Sequence, residues 1–135
     1  MEPHFLTIEE INSIHDSQIK LYGGREGVRD QEILESAINT PQAGTSSGYL
    51  HKSIFEMAAA YAFHIGQNQP FNDGNKRTGT VAAHTFLYMN GYLLDCDQDL
   101  LVETVMKISS KECTKLEFAE FLKSHTTPFE VSIIP

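Results

Sequence analysis

The feature that most constrains the fold is a run of apolar residues at the centre of the chain. Residues 54–65 read Ile-Phe-Glu-Met-Ala-Ala-Ala-Tyr-Ala-Phe-His-Ile, so nearly every side of a helix formed here would be apolar. A helix without a polar face is buried, and other elements have to surround it. Ser53 precedes the run and Glu56 follows three residues later, which is the pattern of a capping box. The sequence therefore predicts a central helix that begins after Ser53.

Helical periodicity also dominates the chain on both sides of this run. Each predicted helix begins at a residue that can cap it, and several end at glycine, asparagine or proline. The predicted starts are Thr7 with Glu10, Asp30, about Asn75, Asp97, and Thr114 with Glu117, and the predicted stops are Gly23-Gly24, Thr40-Pro41 and Asn90-Gly91. This pattern is typical of an all-α fold. We expect one domain over residues 1–135, with a core of about 5–124 and a C-terminal tail, 125–135, that shows no periodicity.

Composition narrows the class of protein. A chain of 135 residues is about the length of one domain, and 41% hydrophobic with 21% charged residues is ordinary for a globular one. Ten Lys and Arg against eighteen Asp and Glu leave a net charge of −8, which disfavours direct binding of nucleic acid. Cys96 and Cys113 stand at no zinc-binding spacing. Because the chain shows neither a signal-peptide pattern nor a long apolar stretch, we expect a cytoplasmic protein that does not enter a membrane.

The segment most suggestive of chemistry is residues 69–79, Gln-Pro-Phe-Asn-Asp-Gly-Asn-Lys-Arg-Thr-Gly. It predicts a tight loop that runs into a helix N-terminus, where free amides and the positive end of the dipole attract an anion. Lys76 and Arg77 stand in the first turn, where each cation costs a few tenths to ~1 kcal/mol unless an anion offsets the repulsion. A carboxylate beside that anion, Asp73, suits a magnesium ion that bridges carboxylate and phosphate.

Each of these residues also has an ordinary structural explanation. Asp73 could serve only as the N-cap of the following helix. Lys76 and Arg77 could belong to a solvated helix face. Phe71 is expected in the core under either interpretation, because one aromatic residue in a polar loop usually anchors it.

Taken together, these residues resemble a known motif. The sequence Pro-Phe-Asn-Asp-Gly-Asn-Lys-Arg-Thr at residues 70–78 resembles the core motif of the Fic/Doc family. Lys76 resembles its Doc branch, the death-on-curing toxins. Residues 27–30, 34–37, 41–42 and 86–91 are similar to the Doc arrangement in order and spacing. The resemblance therefore covers about residues 5–124.

The resemblance implies a small Fic-type helical domain in which the motif loop lies between two central helices. It implies an ATP-dependent transferase that uses Mg²⁺ and modifies a protein hydroxyl group. Doc is known for moving a phosphate onto the translation elongation factor that delivers aminoacyl-tRNA, whereas Fic members usually move AMP. Lys76 stands where AMP-transferring members typically have glycine, so phosphate transfer is favoured. The resemblance also implies a toxin of a toxin–antitoxin pair, with a target protein and a cognate antitoxin as partners.

The resemblance also supplies roles for individual residues. By position, Asp73 would hold Mg²⁺, and the phosphates of ATP would be bound by Gly74, Asn75, Lys76 and Arg77. The residues implied in catalysis are Gln69, Asp73, Lys76 and Arg77. Residues 42–50 correspond to the flap against which the target lies, and their small, polar, glycine-containing composition predicts an exposed, mobile loop.

Gln69 departs from the motif, which has a histidine at this position. In the family that histidine takes the proton of the attacking hydroxyl, whereas an amide has no usable basicity. A lost general base costs ~10²- to 10⁴-fold in rate. His64 and His84 are disfavoured as substitutes, since His64 lies more than one helical turn before Gln69. Neither histidine forms a recognisable metal-ligand spacing with Asp73.

Two explanations of Gln69 stay open on the sequence alone. The chain is either a natural member whose chemistry was lost or changed, or it carries a deliberate substitution that allows a toxic protein to be expressed. A second function also stays open. It is a non-catalytic module that retains the phosphate site and binds a nucleotide or a partner.

Overall fold

The computed structural model describes residues 2–129, and most of them are helical. The helices are α1 (Ile8–Tyr22), α2 (Gln31–Asn39), α3 (Ile54–Asn68), α4 (Asn75–Met89), α5 (Gln98–Ser109) and α6 (Lys115–Ser124), with a single 3-10 turn at Thr40–Gln42. The strands are β1 (Gly44–Thr45), β2 (Gly48–Tyr49), β3 (Tyr92–Leu94) and β4 (Thr126–Pro128). The predicted helical fold is confirmed, and short strands are added to it.

The apolar run forms α3, which lies at the centre of the core. Its residues Ala58, Ala59, Ala60 and Tyr61 are fully buried, and α4, α6 and α2 pack around it. The crossing of α3 and α4 is close, because a Cβ atom on Gly79 would lie 2.9 Å from the carbonyl oxygen of Ala62. This tight contact holds the two helices on either side of the motif loop.

The predicted caps account for where the helices begin. Both capping boxes at the ends of the chain are present, Thr7 with Glu10 and Thr114 with Glu117. The box predicted at Ser53 is only half formed. The Ser53 side chain accepts from the Glu56 amide at 3.1 Å. The Glu56 carboxylate, however, accepts from the Lys52 amide at 2.9 Å instead of from the Ser53 amide that a complete box would use.

The segment after α6 contains a strand that periodicity did not predict. β4 pairs with β3 in an antiparallel ladder that sets Tyr92 opposite Pro128 and Leu94 opposite Thr126. Three residues are too few for an alternating pattern to be visible, and the partner strand lies more than thirty residues earlier in the chain. Residues 130–135 of the predicted tail lie outside the described part of the chain.

The segment predicted as an exposed loop, residues 42–50, contains a small hairpin. β1 and β2 pair in antiparallel register, with Gly44 opposite Tyr49. Most of its residues are exposed, as expected. The hairpin is tied to the N-terminal segment by the Tyr49 hydroxyl, which donates to the Glu2 carboxylate at 2.6 Å. Among the helices of residues 2–129, none combines the length and the apolar character needed to cross a membrane.

Candidate functional site

The motif segment forms the connection between α3 and α4. Gln69 ends α3 in the left-handed conformation (φ 53°, ψ 60°), and Gly74 precedes α4 in the same region (φ 73°, ψ 21°). The Asn75 side chain closes the loop, because it donates to the Phe71 carbonyl at 3.0 Å and accepts from the Phe71 amide at 2.9 Å. The Asn75 side chain is therefore used within the loop, and its backbone amide lies in the first turn of α4.

Phe71 anchors the loop from below. It is 1% exposed, which confirms its predicted place in the core. Its ring stacks on the imidazole of His15, with centroids 3.8 Å apart and planes 6° from parallel. His15 is itself 2% exposed, and its Nε2 donates to the Asp73 carbonyl at 2.8 Å. Sequence reasoning missed His15, although its position between Ile11 and Ile19 on the apolar face of α1 indicates burial.

The Asp73 carboxylate is exposed and lies between the segment after α1 and the start of α4. One oxygen, Oδ2, accepts from the Arg25 amide at 3.2 Å, and the other, Oδ1, accepts from the Gly74 amide at 3.0 Å. The N-cap of α4 is Gly74, with no side-chain capping bond, so the N-cap alternative for Asp73 is wrong. The two backbone amides, and then the charges of Arg25 and Arg77, lower the pKa of Asp73.

The turn after α1 passes close to the Asp73 carboxylate. A Cβ atom on Gly24 would lie 2.9 Å from Oδ2 of Asp73, and the backbone of Gly24 is left-handed (φ 121°). The positive φ favours glycine here, and a Cβ atom would in addition displace the Asp73 carboxylate. Of the two glycines in the predicted helix stop, Gly23 caps α1 and Gly24 lies against the site.

Arg77 and Lys76 occupy the first turn of α4. Arg77 Nη2 donates to the Gly23 carbonyl at 3.0 Å, and the guanidinium lies 5.4 Å from the centre of the Tyr22 ring. Arg77 Nε is buried and has no hydrogen-bond partner among residues 2–129. A buried cationic donor without an acceptor is costly unless a ligand supplies one. Lys76 is exposed beside it.

A cleft of about 650 Å³ begins at these two cations and runs between α1, α4, β3 and α5. Its volume lies within the range of small-molecule sites. The walls are mostly apolar away from the cationic end. The lining residues are Gln18, Tyr22, Lys76, Arg77, Thr80, Val81, His84, Leu94, Cys96, Gln98, Leu101, Val102, Val105 and Met106.

The two histidines considered as substitute bases lie in different places. His84 lines the cleft. His64 belongs to a separate cluster, in which Lys115 Nζ lies 3.1 Å from His64 Nε2 and 3.0 Å from His51 Nε2. Burial, and then the charge of Lys115, lowers the pKa of His64 to about 4. Within residues 2–129, no three His, Cys, Asp or Glu side chains are grouped as metal ligands.

The exposed Gln69 side chain marks the other end of the loop. The geometry thus defines a class: a small helical protein whose two central helices are joined by a motif loop with a carboxylate and two cations at the start of the second helix. The sequence matches the profile of the Fic/DOC family over residues 5–87. The chain belongs to this family.

Two curated relatives are similar to the chain. One is "Toxin Doc" of Mycolicibacterium smegmatis (strain ATCC 700084 / mc(2)155), 34% identical over 94 residues that cover 68% of this chain and 72% of the relative. The other is "Protein kinase doc" of Escherichia phage P1, 36% identical over 83 residues that cover 62% of this chain and 65% of the relative. The chain thus resembles the Doc members of the family.

Proposed function

We propose that this protein is a Doc-like toxin, a transferase that moves a phosphate from ATP to a protein hydroxyl group, and that Gln69 strongly reduces its activity. The names of the two relatives, a toxin and a protein kinase, support the class of activity. The observation that carries the proposal is the start of α4, where Arg77 Nε is buried without a partner among residues 2–129 and lies near Lys76 and Asp73.

The phosphates are proposed to lie on the first turn of α4. The backbone amides of Asn75, Lys76 and Arg77 have no carbonyl partner within the helix, and the dipole favours an anion there. Arg77 supplies its Nε, which bonds no acceptor within residues 2–129, while its Nη2 donates to the Gly23 carbonyl and so orients the guanidinium group. Gly74 leaves room for a close approach because it has no side chain.

Asp73 is proposed to hold Mg²⁺. Its carboxylate fits this role because it is exposed and because its lowered pKa keeps it ionised. Each carboxylate oxygen accepts one backbone N–H and has a second lone pair that can bind the ion. When bound, Mg²⁺ neutralises charge on the phosphates during transfer. A single carboxylate together with phosphate oxygens is a common way of binding this ion.

The reaction also needs a proton acceptor. The hydroxyl oxygen of the target attacks the γ-phosphorus, the bond to the bridging oxygen breaks, and ADP leaves with that electron pair. The hydroxyl proton has to go to a base, and the amide of Gln69 cannot accept it. Loose phosphoryl transfer depends largely on positioning and charge, so a residual rate is expected.

The partners follow from the same proposal. The target is a protein of translation, such as the elongation factor that delivers aminoacyl-tRNA, and the protein acts in the cytoplasm where that factor is found. The exposed hairpin within residues 42–50 is proposed to dock the target. A cognate antitoxin completes the pair. Direct binding of nucleic acid is not proposed, given the net charge of −8.

A second candidate function is favoured by Gln69 itself. A protein that keeps the phosphate-binding residues and lacks the base could serve as a non-catalytic module that binds a nucleotide or a partner. This alternative predicts binding of Mg-ATP without transfer, even after the base is restored.

Restoring the base distinguishes the two functions. The protein and its Gln69→His variant are incubated with a cell extract and ATP labelled at either the α- or the γ-phosphate. We expect strong γ-labelling of a protein by Gln69→His, about 10²- to 10⁴-fold above the parent. Labelling from α would instead show AMP transfer. Binding of ATP without labelling by either form would support the binding module, and equal labelling by both forms would show that the base lies elsewhere.

A further inference from the structure

One segment, residues 25–30, lies along the whole motif loop. At the Asp73 end, the Arg25 amide and guanidinium donate to Asp73 and to the Asn72 carbonyl. In the middle, Asn72 is held by the carbonyls of Glu26 and Gly27. This segment is irregular, but nearly every residue in it is bonded to the loop.

Arg29 contacts the other end of the loop. Its Nε donates to the Gln69 carbonyl at 2.6 Å, and its Nη2 donates to the Asn68 carbonyl at 3.0 Å. The amides of Arg29 and Asp30 donate to the Pro70 carbonyl at 2.7 and 3.1 Å. Residue 69 therefore lies between two carbonyls that the same segment fixes.

The backbone at this position needs such support. Gln69 is left-handed at φ 53°, a conformation that is unfavourable for a residue other than glycine. The direction in which the side chain leaves the backbone depends on that conformation. A guanidinium group that donates to two successive carbonyls holds this backbone conformation better than a single donor could.

We propose that Arg29 is a positioning residue, which fixes the backbone at residue 69 and contributes a positive electrostatic potential at the side chain of that residue. The proposal rests on the proposed function, in which position 69 is the place of the general base that Gln69 lacks and that Gln69→His would restore. Arg29 is exposed, so it is not needed to fill the core. Its guanidinium group donates to the carbonyls of Asn68 and Gln69 at the end of α3, where the base would act.

The charge of Arg29 has a defined effect on an imidazole at this position. The C-terminal end of α3 carries a partial negative charge, which favours the protonated form. The nearby guanidinium opposes that effect and favours the neutral form, which is the form that can accept a proton. Removal of Arg29 should therefore raise the pKa of a histidine introduced at position 69.

The test uses the Gln69→His protein as its background, with Arg29→Ala, Arg29→Lys and the control Lys123→Ala. Lys123 is exposed in the last turn of α6, outside the motif loop and the segment 25–30. The introduced imidazole is titrated by NMR and is assigned by comparison with the Gln69 parent. We expect Arg29→Ala to raise its pKa by about half a unit or more. Arg29→Lys should raise it less, and Lys123→Ala should leave it unchanged.

Kinetics supply the second measurement. For Arg29→Ala we expect kcat to fall about tenfold or more while the Kd for Mg-ATP stays within about twofold, because only the base is displaced. An unchanged imidazole pKa would overturn the role of Arg29. A nucleotide affinity and a melting temperature that fall together with kcat would overturn it as well. If Gln69→His labels no protein, the proposed function fails, but the titration still decides whether Arg29 acts on position 69.

Discussion

Among single residues, Arg77 has the contacts that bear most directly on anion binding. Its Nη2 is held by Gly23 and its Nε is buried without a partner among residues 2–129. We expect Arg77→Ala to weaken Mg-ATP binding by about tenfold or more, since a charge-assisted bond of roughly 1.5–3 kcal/mol is lost. Isothermal titration measures this effect.

The control for Arg77 is Arg77→Lys. A lysine keeps the charge but lacks the planar fork that bonds Gly23 while presenting Nε. We expect an intermediate affinity for this variant. If Arg77→Ala and the parent bind Mg-ATP equally, Arg77 lies outside the phosphate site and its role is confined to the contact with Tyr22 and Gly23.

Asp73 provides a second test at this scale. We expect Asp73→Asn to bind nucleotide with little dependence on Mg²⁺, because a neutral amide is a poor ligand for that ion. The melting temperature should change little, since Asp73 does not cap α4 and an asparagine oxygen can still accept from one of the two amides that Asp73 now holds. Nucleotide titrations with and without Mg²⁺, beside a thermal melt, measure both properties. A lower melting temperature with unchanged Mg²⁺ dependence would contradict the assignment.

Among the elements, the hairpin and α3 should differ most in mobility. The strands of the hairpin are two residues each, and most of residues 42–50 are exposed. The interior of α3 is fully buried at Ala58–Tyr61. We expect fast amide exchange in 42–50 and slow exchange in 54–67, because opening the hairpin exposes few apolar contacts. Hydrogen exchange followed by mass spectrometry resolves the two segments.

The Leu50 amide is an internal reference for that experiment, since it donates to the Ala43 carbonyl across the base of the hairpin at 2.8 Å. Protection confined to this bond agrees with a mobile tip. Strong protection throughout 42–50 in the free protein would contradict its assignment as a segment that orders when the target docks.

For the whole molecule, the cluster of His51, His64 and Lys115 predicts sensitivity to acid. It joins the segment after the hairpin, α3 and α6 through one ammonium group. Burial, and then Lys115, lowers the pKa of both histidines, to about 4 for His64, while Glu56 opposes the shift at His51. Protonation of either imidazole would place a second cation beside Lys115.

The direction of the effect follows from proton binding. The folded protein binds fewer protons at His64 than the unfolded chain, in which the pKa is near 6.5. The stability from this group is therefore fully present above about pH 6.5 and is lost as the pH falls towards 4. We expect the melting temperature to fall across that window. The fall should be shallower in Lys115→Met and unchanged in the matched control Lys123→Met, and equal slopes in all three proteins would contradict the role of the cluster.

Local sequence determined the helices of this protein, the residues at which they begin and the position of the motif. The apolar run of residues 54–65 and the capping residues Thr7, Asp30, Asp97 and Thr114 predicted the helices and their starts correctly. Helical periodicity and caps depend on residues within three or four positions of one another, so the sequence displays them directly. The motif at residues 70–78 was visible for the same reason.

Only the tertiary structure decided what surrounds the motif. His15 stacks on Phe71, and Arg29 donates to the Gln69 carbonyl. The Arg25 amide donates to the Asp73 carboxylate. The partners in these pairs are separated by forty to almost sixty positions in the chain. None of these contacts produces a periodic signal, because each depends on how α1, the segment 25–30 and the helix pair α3–α4 pack in space. The residues that give the site its chemistry therefore lie in one short segment, whereas the geometry of the site arises from packing between segments that are distant in the sequence.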